Sequence, residues 1–72
     1  MQVMVNGESR EVPDGTMVSG LLEQLQIAPE RVVVELNLTI LKRAQGPTTM
    51  LKAGDHVEIV HFVGGGAWPR IS

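Results

Sequence analysis

The chain opens on an alternation. Val3 and Val5 fall on one side of residues 1–6, and Gln2 and Met4 on the other. That is the period-two signature of a strand. Asn6-Gly7 comes next, a strong hairpin signal because both positions tolerate positive φ. Residues 8–12 read as the returning strand, and Pro13-Asp14-Gly15 stops it. The period then changes. Val18, Leu21, Leu22 and Leu25 recur at helical spacing, with Glu23, Gln24 and Gln26 on the other side. This predicts a helix over 17–26, capped at its start by the Thr16 hydroxyl. Pro29 ends the pattern and turns Ala28 out of helical geometry.

Past Pro29 the apolar positions become continuous. Val32 to Leu36 is a β-branched run and reads as a strand. Asn37-Leu38 is a poorer turn pair, with a short strand at 39–41 beyond it. Residues 43–53 read as a loop punctuated by Gly46-Pro47, with Met50 and Leu51 plugging it into the core. Gly54-Asp55 is another turn, and residues 56–63 are the last strand, with Val57 and Ile59 facing inward. The order is strand, strand, helix, then three strands. It predicts an α+β domain over 1–63: a mixed four- to five-stranded sheet with one main helix packed on one face. The β-grasp (ubiquitin-like) fold has this order, and other α+β arrangements share it. Residues 64–72 are expected to form a flexible glycine arm and tail.

Composition narrows what such a domain can do. Seventy-two residues make one small domain, which buries only about 60% of the surface its unfolded chain exposes. There is no cysteine, so disulfides, thiolate metal sites and a thiol nucleophile are excluded. The hydrophobic fraction of 43% must carry the fold alone. A net charge of −2 gives no footprint for nucleic acid or an anionic membrane. No apolar stretch approaches the ~18 residues of a membrane span. The N-terminus lacks a basic-then-apolar signal layout, so the expected location is the cytosol.

Candidate chemistry is sparse. His56 and His61 are five apart, which points them to opposite faces of one strand and prevents joint chelation. The eight carboxylates are scattered without a metal or acid–base spacing. Asn37-Leu38-Thr39 is a chance glycosylation match in a chain with no secretory signal. Lys42-Arg43 is the one adjacent basic pair, either solubilising or a contact for an acidic partner. Gly64-Gly65-Gly66 is no phosphate loop, since no Lys-Ser or Lys-Thr follows. It is either a linker or a steric device. Without Cβ atoms, such a segment threads a narrow channel and brings its backbone close to a partner's reactive atoms. From Phe62 to Gly66 the chain reaches roughly 13–14 Å when extended. Val60 and Phe62 lie on the face opposite Val57 and Ile59. They form a partner surface beside the arm, unless the 43–53 loop covers them.

Several pieces in order then resemble the ThiS family of sulfur carriers in thiamine biosynthesis. They are "MQVMVNGE" at the start, "LLEQL" at 21–25, "VVVELNLTILKR" at 32–43 and "GDHVEIVHFVGGG" at 54–66. The most specific is the glycine run after the last β-grasp strand. Leu38 departs mildly from the small or polar residue usual after the Asn37 position. The resemblance implies a protein co-substrate rather than an enzyme, needing no cofactor of its own. It places Gly66 at the family's terminal glycine with Gly65 before it. A ThiF-type enzyme adenylates that carboxylate with ATP, and sulfur originating from a cysteine desulfurase displaces AMP. The resulting thiocarboxylate donates sulfur to the thiazole synthase ThiG. Phe62, Val60 and Gly64 are the expected partner-facing residues.

One feature departs from the family pattern. Family members end at Gly-Gly, whereas Gly66 here is amide-linked to Ala67. Removal of 67–72 by a protease, a cloning remnant, or loss of sulfur chemistry would each account for the tail. Two alternatives to the thiamine reading follow. One is a MoaD-like carrier serving molybdopterin or another sulfur-containing metabolite. The other is a β-grasp interaction module that is never activated.

Overall fold

The computed structural model describes residues 1–61. Five strands form one sheet: β1 (Gln2–Val5), β2 (Glu8–Glu11), β3 (Val32–Leu36), β4 (Thr39–Leu41) and β5 (His56–His61). Their spatial order is β2-β1-β5-β3-β4. β1 pairs with β5 in parallel, and every other neighbour is antiparallel. The mixed sheet with one helix is the α+β, β-grasp arrangement expected from the order of elements. β5, the last strand in sequence, is therefore the central one in space.

The helix α1 (Val18–Gln24) covers one face. Val18, Leu21 and Leu22 are buried from its inner stripe. They meet Val3 and Val5 of β1, Val32 and Val34 of β3, Val57 and Ile59 of β5, and Val12 and Leu51 from the connections. Leu21 is wholly inaccessible, and burying such a side chain stabilises by about 2 kcal/mol. Val57 and Ile59 face inward as their spacing predicts.

Four expectations need correction. The Thr16 hydroxyl does not cap the helix. It donates instead to the Pro13 carbonyl at 2.6 Å, closing the preceding turn. The residue before the helix is Met17, and its entry is fixed by an antiparallel bridge between Met17 and Met50. In that bridge the Val18 N–H donates to the Thr49 carbonyl and the Leu51 N–H to the Thr16 carbonyl, both at 2.9 Å.

The helix also stops earlier than Pro29 requires. Gln26 takes a left-handed φ of 59°. The Ile27 N–H reaches the Leu22 carbonyl, and the Gln26 N–H reaches that of Glu23. That is a Schellman stop with glutamine where glycine is usual. Pro29 opens a separate 3-10 turn, Pro29–Arg31.

The 43–53 segment is only partly irregular, because Arg43–Thr48 forms a 3-10 helix. The Lys42 N–H donates to Gln45 Oε1, and the Gln45 N–H donates to the Lys42 carbonyl, both at 2.9 Å. Leu51 is buried as expected, but Met50 is 53% exposed. Neighbours in an extended bridge point to opposite sides, so only one of the pair can enter the core.

Among the described residues no helix is long and apolar enough to cross a membrane. No cluster of three metal-ligating side chains occurs among them either.

Candidate functional site

The candidate site is the end of β5 and the arm that follows it. Phe62, Gly64, Gly65 and Gly66 lie outside the described residues, as does the 67–72 tail. The described part ends at His61, so the structure bears on how β5, the strand that leads to them, is held.

β5 is held on both sides. On one side it pairs with β3, from Leu36↔Val57 to Val32↔His61. On the other it pairs with β1 at Met4↔His56 and Val5↔Val57. There β1 turns away into a two-residue hairpin at Asn6 and Gly7, with φ of 50° and 83°. The Asn6 side chain then takes over from the strand. Its Oδ1 accepts the Ile59 N–H at 2.7 Å, and its Nδ2 donates to the Ile59 carbonyl at 3.3 Å. One amide thus extends the parallel ladder two residues, from Val57 to Ile59.

Asn37 does the same at the other end. Its backbone N–H donates to the His56 carbonyl at 2.8 Å, and its Oδ1 accepts the His56 N–H at 2.9 Å. Its Nδ2 donates to Asp55 Oδ1 at 3.1 Å. Asp55 is buried, and its other oxygen accepts the Lys52 N–H at 2.8 Å. A buried carboxylate needs such donors. These two asparagines were legible from sequence only as turn residues. That their amides also clamp β5 depends on contacts 53 and 19 positions apart.

Val60 stands opposite Val33 on the face away from the helix and is 44% exposed. The 43–53 segment does not cover it. Gly46 packs against Ser19 of α1, on the other side of the sheet. The Val60 face also carries Glu58 and Glu35, which are directly opposite one another, and Ile40 beside Glu35. His56 lies on this face and His61 on the other, and both are exposed. They do not converge, as their spacing predicts.

Known proteins resemble the chain along nearly its whole length. The ThiS family profile matches residues 3–66. A crystal structure of the thiamine biosynthesis protein ThiS from Geobacter metallireducens superposes with a TM-score of 0.79 at 40% identity, covering 92% of this chain and all of that one. A thiazole synthase from Magnetococcus marinus is 41% identical over 69 residues, which is 96% of this chain. The chain spans only 21% of that synthase's length. The uncharacterized protein ycf40 of Porphyra purpurea is 32% identical over 66 residues, covering 92% of this chain and 93% of the relative. A profile matching almost every residue and a superposition at this identity agree on one conclusion: the chain belongs to the ThiS family.

Proposed function

We propose that this protein is a sulfur carrier of thiamine biosynthesis, acting as a co-substrate through Gly66. The observation that carries the reading is that the family match runs through Gly66, the last glycine after the central strand. A carboxylate is a poor electrophile. Adenylation with ATP by a ThiF-type enzyme releases pyrophosphate and leaves an acyl-AMP with a good leaving group. Persulfide sulfur derived from cysteine desulfurase displaces AMP to give an acyl disulfide, and a thiol reductant cleaves its S–S bond to release the thiocarboxylate. Because the sulfur sits on the backbone terminus, a chain without cysteine can carry it.

A thiazole synthase of the ThiG type is the acceptor in this reading. The match of this chain to a segment of whole thiazole synthases supports it, since carrier-like sequence and synthase then share one polypeptide. Val60, with Phe62 and Gly64 beyond it, forms the docking surface that directs Gly65 and Gly66 into the partners' active sites. Activation needs a free Gly66 carboxylate, so residues 67–72 are cleaved first. The 69-residue match leaves three residues of the chain uncovered. It therefore runs to Pro69 or beyond.

The test is intact mass. The chain truncated after Gly66 is incubated with ATP, a ThiF-type enzyme and a sulfur source. Replacement of one oxygen by sulfur at the terminus is expected. The full chain should stay unchanged in the same mixture. No exchange in the truncated chain, with an adenylating enzyme active on its own carrier, sinks the reading.

A further inference from the structure

The carrier chemistry leaves one built feature of this molecule unused: an apolar cleft between the helix and β4. Val18 and Leu22 of α1, Val34 of β3 and Leu41 of β4 line it, and Lys42 and Arg43 stand at its rim. Its volume is about 220 Å³. Sites for small molecules and cofactors run from about 300 to 1,000 Å³, so this one suits one or two side chains. The lining includes two cations and no carboxylate. Both cations are exposed, and among the described residues neither has a carboxylate within ion-pair distance. This local excess of positive charge stands out on a chain whose net charge is −2.

The edge of the sheet runs alongside. Among the described residues β4 has β3 on one side and no strand on the other. The Asn37–His56 hydrogen bond fixes which β3 residues bond to β5, so Val34 and Leu36 bond to β4. The antiparallel alternation then turns the Ile40 N–H and carbonyl toward the outer edge. An unpaired edge is a template for another strand, and a cleft beside it supplies the pocket for that strand's side chains.

We propose that this cleft docks an extended acidic and apolar segment of a partner protein. One apolar side chain seats between α1 and β4, the backbone runs along Ile40, and flanking carboxylates pair with Lys42 and Arg43. Val60 faces the other side of the sheet, so the proposal goes beyond the carrier reading and stands independently of it.

The probe is a capped peptide of alternating valine and leucine flanked by glutamates, titrated into the ¹⁵N-labelled full chain. Amide shifts are expected at Ile40 and Lys42, with methyl shifts at Val18 and Leu22. The double variant Lys42→Glu/Arg43→Glu changes two exposed side chains, and its native amide dispersion confirms that it folds. It should bind the peptide about 10-fold more weakly or worse. It should also prefer the same apolar core flanked by lysines. The proposal is overturned if millimolar peptide moves none of these resonances. Equal binding of both peptides by the native chain, or shifts confined to the Val60 and Glu58 face, overturns it too.

Discussion

Two hairpin turns hold β5 at two points, His56 and Ile59, and they differ at one position. Asn6-Gly7 and Asn37-Leu38 are both two-residue connections with positive φ throughout. In both, the asparagine amide extends a ladder onto β5 after its own strand has turned away. Glycine follows in the first turn. Leucine follows in the second, at φ 70° and 88% exposed. The asparagine therefore does the holding in each case, while the second position sets only the strain of the turn. A side chain that both accepts the left-handed region and offers a peptide-like amide is what the geometry demands. Leucine meets neither need.

The comparison breaks first at Asn6. Asn6→Ala removes both bonds to Ile59 and leaves a part-buried N–H without its acceptor. An unsatisfied group of this kind costs about 1–3 kcal/mol, and alanine in the left-handed region adds about 1. A loss of about 3 kcal/mol is expected in urea unfolding. Hydrogen exchange at the Ile59 amide should accelerate more than at Glu58, whose bonds go to β3. Equal acceleration of the two would mean that Asn6 supports the whole sheet rather than the C-terminal half of β5. The Asn6 contact lies two residues before His61. A looser β5 should therefore also slow thiocarboxylate formation on the Gly66-terminated chain.

Asn37→Ala should cost less, about 2 kcal/mol. The His56 N–H it releases is exposed and water replaces the lost acceptor, while Asp55 keeps its bond from Lys52. Asn37→Asp sharpens the point. It keeps an acceptor for His56 but brings a second carboxylate to the buried Asp55. If the Asp55 contact matters more than the ladder, this variant is the less stable of the two.

The legibility of the molecule follows from what is local. Strand periods, the helix stripe and the Asn6-Gly7 turn depend on residues within a few positions of each other. They could be read directly, as could the inward Val57 and Ile59. Thr16 misled because its hydroxyl had two nearby uses, the helix N-terminus and the Pro13 turn, and sequence does not rank them. Met50 misled because two adjacent apolar residues in an extended segment cannot both face inward. Which one does so depends on the bridge to Met17. The clamps on β5 were hidden for a plainer reason. They join residues 53 and 19 positions apart that only the assembled sheet brings together, and an asparagine amide leaves no pattern of its own. The cleft beside β4 was half visible, since Lys42-Arg43 stood out as the one basic pair, but only the fold puts it against apolar walls.

The smallest effect has the opposite sign. Leu38 is nearly fully exposed, so its side chain gains little from burial, while its left-handed backbone costs about 1–2 kcal/mol relative to glycine. Leu38→Gly relieves that strain, but it also frees the unfolded chain, which gives back part of the gain. The net expectation is a rise of about 1 kcal/mol in urea unfolding with an unchanged slope. Leu38→Asn should gain a similar amount without the entropy penalty, because asparagine tolerates the left-handed region. Gly7→Leu makes the reverse change in the other turn, where nothing lies within 4 Å of an added Cβ, so it isolates backbone strain from packing. If Gly7→Leu destabilises while Leu38→Gly does not stabilise, the two turns are not equivalent. Leu38 must then make a favourable contact in the folded chain that its exposure conceals.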